Sequence, residues 1–119
     1  MAVVYMFTRS AWQPAVDIYR VAGGLLLVCE AQGCRPEQLS VTVERHRVIL
    51  AGVREPPVSA ARWLREEIAW GPFERLIQLP VPVDPVGARA EYRDGLIMVE
   101  CPFGAAVTTS VRIVVSSRE

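Results

Sequence analysis

An all-β fold is predicted by three features of the sequence. Valine is the commonest of the 119 residues, at 18, and β-branched side chains favour a pleated, half-buried surface. Nine prolines and eight glycines punctuate short apolar runs, as tight turns between strands require. Asp94-Gly95 divides two such runs, and this pair is a hairpin signal because a type I′ turn needs positive φ at both central positions. The length suits one domain, which buries about two-thirds of its unfolded surface and needs no disulfide or metal staple.

Taken in order, Met1 to Gln13 is a short apolar arm with Tyr5, Phe7 and Trp12 and no period long enough to fold alone. It suits either a sticky arm or a terminal strand laid on the domain. Val16 to Arg20 reads as a strand and Gly23-Gly24 as a turn. Leu25 to Ala31 is a continuous apolar run, hence a strand buried on both faces. After a turn at Pro36-Glu37-Gln38, Leu39, Val41 and Val43 share one face while Ser40 and Thr42 point the other way. Glu44-Arg45-His46-Arg47 is a charged hairpin tip, and the next strand turns Val48 and Leu50 inward before Gly52-Val53-Arg54.

Between Glu55 and Trp70 the pattern changes. Ala60, Trp63, Leu64 and Ile68 lie at i, i+3, i+4 and i+8, the spacing of a short amphipathic helix. Phe73, Arg75, Ile77 and Leu79 then alternate up to Pro80. Val81 to Pro85 is a rigid connector, and Val86 to Tyr92 reads as a short strand. In Leu96 to Cys101, residues Ile97, Val99 and Cys101 share a face, and Pro102 ends the strand because it has no N–H for a ladder. A small-residue linker, Phe103 to Ser110, leads to Val111-Arg112-Ile113, Val114-Val115 and a polar end.

Thirteen basic residues, all arginine, balance thirteen acidic ones. With no basic excess, neither nucleic acid nor a membrane surface is an expected partner. Zero net charge with a mean hydropathy of +0.24 is unfavourable for a soluble monomer. Either self-association covers apolar surface or the core is unusually large. Cys29, Cys34 and Cys101 have neither an even count nor metal-type spacing, and the first and last read as small hydrophobes inside strands. His46, the single histidine, has no acid or nucleophile at a recognisable spacing and cannot complete a zinc site. No catalytic, cofactor-binding or metal-binding residue is expected, and no phosphate-cradling glycine loop is present. Val3 to Phe7 is too short for the ~7–15-residue core of a signal peptide, and no run reaches the ~20 apolar residues of a membrane span. A cytoplasmic location is expected.

Ala90-Glu91-Tyr92-Arg93-Asp94-Gly95-Leu96-Ile97 and the strand to Pro102 resemble the signature of the alpha-crystallin domain of small heat-shock proteins, in particular those of bacterial type. Gly71-Pro72-Phe73-Glu74-Arg75 through Leu79-Pro80 resembles the same family's Gly-x-Phe-x-Arg…Leu-Pro strand, and Pro14 to Tyr19 its opening strand. Val48 to Arg54 is similar to the family's Leu-x-Ile-x-Gly-x-Arg, whereas Glu30-Ala31-Gln32-Gly33 keeps Glu and Gly of Glu-Leu-Pro-Gly but loses Pro. The blocks come in the family order.

The resemblance implies a two-layer antiparallel immunoglobulin-like β-sandwich over residues 14–102, with a short arm (1–13) before it and an extension (103–119) after it. It implies that Leu64-Arg65-Glu66-Glu67-Ile68 is a strand donated to a neighbouring subunit rather than a helix, and that Arg75 lies at the dimer contact. A buried Arg75 would there meet Glu66 or Glu67 of that neighbour, since an unpaired buried charge is prohibitive. It further implies that Val111 and Ile113 plug an apolar groove formed by Leu39, Val41, Val43, Val86, Ala88 and Ala90 of a neighbouring domain. One more strand of the same domain is the other reading of this tail. The activity implied is that of an ATP-independent holdase rather than an enzyme, with non-native client proteins as partners and homodimers assembling into larger oligomers. The shortness of the arm speaks against very large assemblies. The alternative is a co-chaperone-like adaptor of the CS type, a related sandwich that binds a folded partner as a monomer.

Overall fold

The computed structural model describes residues 12–58, 62–104 and 110–118. Ala60 of the helical period, most of the arm and most of the linker lie outside the described residues. The elements are β1 (Val16–Val21), β2 (Gly24–Glu30), a 3₁₀ turn (Pro36–Gln38), β3 (Ser40–Glu44), β4 (Arg47–Arg54), β5 (Gly71–Gln78), a second 3₁₀ turn (Pro85–Gly87), β6 (Arg89–Arg93), β7 (Leu96–Pro102), β8 (Ser110–Ile113) and β9 (Val115–Arg118). They form a five-stranded sheet, β1-β2-β7-β6-β9, and a four-stranded sheet, β5-β4-β3-β8. All neighbours are antiparallel except β6 and β9, which run parallel.

Side chains alternate across each strand, so the inner faces of the two sheets make the core. Leu25, Leu27 and Cys29 of β2 and Ile97, Val99 and Cys101 of β7 bury against Val41, Val43, Val48, Leu50, Phe73 and Ile77 of the other sheet. The run from Leu25 is buried on one face only, not two. Leu26 and Val28 are partly exposed, because among the described residues no third layer covers the outside of that sheet. Gly52 faces inward in β4, where a Cβ would come within 2.6 Å of the Phe73 ring and 2.8 Å of Leu39. Bare backbone there lets the two side chains close over the strand.

The β6–β7 hairpin turns on Asp94 (φ 55°) and Gly95 (φ 78°), the positive pair that a type I′ turn demands. The other connections differ from the sequence pattern by small shifts. The β1–β2 turn uses Ala22-Gly23, and Gly24 already pairs with Val21 as the first residue of β2. The strand expected from Val86 begins at Arg89. Asp84 Oδ1 accepts from the Val86 N–H (3.0 Å), and Pro85 fixes the next φ, so the chain makes a 3₁₀ turn first.

Candidate functional site: two sheet margins

On one flank of the sandwich, β3 and β6 each meet a strand of the tail. Strand β8 lies antiparallel on β3, with Val43 opposite Val111, Thr42 opposite Arg112 and Val41 opposite Ile113. Strand β9 lies parallel to β6, with Ala90 opposite Val115 and Tyr92 opposite Ser117. Val114 stands between the two strands, 89% exposed. The tail thus crosses from one sheet to the other in a single residue and turns Ile113 and Val115 onto the core. Leu39, Val41, Val43, Ala88 and Ala90 line that side and are buried. Small side chains at Ala88 and Ala90 leave depth for branched ones from the tail. Ser116 Oγ adds a 3.3 Å bond to the Ala90 carbonyl.

The sequence reading paired Val111 with Ile113. Both lie on β8, but the side chains packed on the core are those of Ile113 and Val115, while Val111 is half-exposed over Val43. Val115 was therefore missed. Its signal was a third branched residue at the same alternate spacing. Val86, expected in the groove, sits on the 3₁₀ turn 66% exposed and turned away from it. The tail rests on its own domain.

Among the described residues, no strand covers the opposite flank. There β1 is the outer strand of its sheet and β5 of the other. Ile18, Tyr19 and Val21 of β1 and Leu76 of β5 are exposed. Residues 62–70 form neither helix nor strand, so the helical spacing of Trp63, Leu64 and Ile68 builds no helix. Their side chains stay exposed, Leu64 at 96%. Glu66 is exposed, and Glu67 pairs with Arg65 across 3.3 Å of open surface, a contact of little energy.

Arg75 is half-buried, on the same face of β5 as Phe73 and Ile77. Its Nη1 donates to the Pro14 carbonyl at 2.6 Å, so within one chain the N-terminal segment receives this charge rather than Glu66 or Glu67. Just above it Trp12 packs edge-on against Phe73, ring centres 5.1 Å apart, and its indole N–H donates to the Gly71 carbonyl at 2.8 Å. Arg54, which closes β4, lies with its guanidinium 3.8 Å from the Trp12 ring centre and 5.7 Å from that of Trp70. The sequence reading noticed Arg54 only as the end of a strand.

The chemistry of the interior is that of inert packing. Burial pushes the Cys29 thiol up to about 12, against the pull of Arg75, and the Cys101 thiol up to about 11. Cys34 is raised by burial as well, opposed by Arg54. Thiols held neutral in this way are poor nucleophiles. His46 is exposed at the β3–β4 tip, where its backbone carbonyl accepts from the Leu79 N–H at 2.8 Å. Among the described residues, no three His, Cys, Asp or Glu side chains gather as a metal site, and no helix is long and apolar enough to cross a membrane.

Comparison with known proteins places this geometry. Residues 20–115 match the Hsp20/alpha crystallin family. The 19.0 kDa class II heat shock protein of rice (Oryza sativa subsp. japonica) is 34% identical over 88 residues, covering 67% of this chain and half of the rice protein. The chain thus spans about half the length of the curated relative it matches. Among solved structures, hspA from Xanthomonas axonopodis superposes with a TM-score of 0.70 at 28% identity, covering 81% of this chain and 98% of that one. A small heat-shock protein from Xylella fastidiosa, described as having a distinct high order structure, gives 0.71 at 27% identity, covering 83% and 93%.

Proposed function

The chain belongs to the Hsp20/alpha crystallin family, and from that membership we propose that it is a chaperone of the holdase kind. It holds partly unfolded proteins at its sheet margins and limits their aggregation without ATP and without refolding them. The observation that carries this reading is the tail: one extended segment pairs with the edges of both sheets and buries Ile113 and Val115. A margin that accepts this strand offers the same backbone ladder and apolar slot to any extended apolar segment. Backbone bonds hold the occupant and alternate side chains select it.

Magnitudes favour an exchangeable contact. Fully burying two branched side chains contributes roughly 3–6 kcal/mol gross, and ordering the tail consumes much of it. A tail held so weakly leaves its own groove part of the time. It then enters a neighbour's groove, or yields its place to a client. Dimers form on the other flank, where Leu64 to Ile68 is donated to the β1 edge of a second copy and Arg75 lies at the contact with Glu66 and Glu67. Two grooves per dimer then raise avidity by ~10²–10⁴ over a single site.

The test is light scattering of a heat-labile client with ATP absent, comparing the intact chain with one truncated before Val111, together with the native mass of each. Suppression by the intact chain, and a change in mass and suppression on truncation, are expected. A monomer that suppresses nothing would sink the proposal in favour of the CS-type adaptor.

A further inference from the structure

Arg54 ends β4 where the chain departs into the 55–70 segment, and Gly71, its register partner, begins β5 where the chain returns. Nε and Nη2 of Arg54 donate to the Ala69 carbonyl at 3.0 and 2.6 Å, tying departure to return. Nη1 reaches 3.2 Å to the Gln32 carbonyl on the link between β2 and β3. The same group lies over the Trp12 ring and, further off, over the Trp70 ring. A guanidinium can do both at once because its donors lie in the plane and its π-faces perpendicular to it. Trp12 in turn holds the Gly71 carbonyl through its indole N–H. One half-buried cation is thus shared by the root of the loop and the root of the arm.

We infer that Arg54 is a clasp that makes the 55–70 loop and the N-terminal segment leave the domain together. Its carbonyl bonds form at the surface and hold only while the rings keep the guanidinium in place, and its ring contacts hold only while the carbonyl bonds fix its orientation. Lifting Trp12 lets water reach the guanidinium and loosens Ala69. Freeing Ala69 lets the guanidinium swing off Trp12. Heat or a bound chain that draws out one segment therefore releases the other. The functional consequence rests on the reading above of the loop as the donated strand: arm release would then accelerate subunit exchange.

The test is limited tryptic cleavage at Arg65 in the full chain, with exchange between differently labelled copies read in parallel. Arg54→Ala and Trp12→Ala are each expected to speed cleavage about tenfold, since the protease must draw in the residues flanking Arg65 and Arg54 holds the root of that stretch at Ala69. The double variant is expected to be no faster than the faster single one. Arg54→Lys keeps charge but loses the fork, and Trp12→Phe keeps a ring but loses the donor; both should fall between. These two keep the sandwich intact if the alanine variants fail to fold. Parental cleavage in the Trp12 variants, or additive effects in the double variant, would overturn the clasp. Accelerated cleavage in the variants of a parent chain that neither dimerises nor exchanges supports the clasp and overturns the dimer instead.

Discussion

The two flanks of this sandwich pose the same physical problem and meet it differently. Each exposes the outer strands of two sheets, whose unpaired N–H and C=O groups attract any extended chain. On the groove flank the molecule covers β3 and β6 with its own tail, using branched residues at alternate positions. On the loop flank it leaves β1 exposed and holds out an apolar segment with Leu64 96% in water. Among the described residues, one flank is covered by the chain's own tail and the other is left bare. The proposed function assigns self-association to the second and exchangeable occupancy to the first.

The comparison breaks most decisively at the loop. Leu64→Asp with Ile68→Asp is expected to weaken dimerisation at least ~100-fold, because each carboxylate would have to be desolvated in an apolar contact. Analytical ultracentrifugation across a concentration series checks it. An unchanged mass would mean that the exposed loop is not what joins two copies. The sandwich should keep its melting temperature, since neither side chain touches the core.

The groove flank gives a smaller effect and a sharper discrimination. Ile113→Ala with Val115→Ala removes the two half-buried side chains that face the core, and is expected to weaken tail docking by about 2 kcal/mol. Amide exchange in β3 and β6 should then quicken roughly thirtyfold at the positions that β8 and β9 cover. Val111→Ala should change the same amides less than about threefold, its side chain being no part of the core contact. A larger effect from Val111→Ala than from Val115→Ala would favour the Val111–Ile113 pairing expected from the sequence.

That register was not legible for a physical reason. Val111, Ile113 and Val115 are branched residues at a period of two, so either neighbouring pair presents the same face. Only the position of β6 beyond β3 selects the later pair. The loop was ambiguous for another reason. Trp63, Leu64 and Ile68 fit a helical spacing, yet residues 62–70 adopt neither helix nor strand, because apolar spacing forms an element only where there is a surface to bury it against. Where both partners of a contact lie within a short stretch, the sequence was readable. The Asp94-Gly95 turn and the alternation of Leu39, Val41 and Val43 show this. Arg54 escaped notice because its partners, Trp12, Gln32 and Ala69, are distant in sequence and two of the contacts are backbone carbonyls.

The core common to both flanks gives the smallest effect, and it tests whether either margin admits water. Cys29 and Cys101 keep their protons to about 12 and about 11, whereas a thiol in the unfolded chain ionises near ~8.5. Below ~8.5 both states hold the proton, and stability is indifferent to these groups. Above it the unfolded state binds fewer protons, so stability falls as pH rises and continues to fall up to the folded values. Between pH 7 and pH 9 the loss from Cys29 alone should be about 0.8 kcal/mol. Urea unfolding at the two pH values, compared with Cys29→Ala, checks it: the variant's loss should be smaller by that amount, whatever its absolute stability. An unchanged slope would mean that water reaches the thiol in the native state. The flank with the exposed loop would be its entry, because Cys29 pairs with Val16 of the outer strand β1 and feels the charge of Arg75, whereas Cys101 feels no such charge.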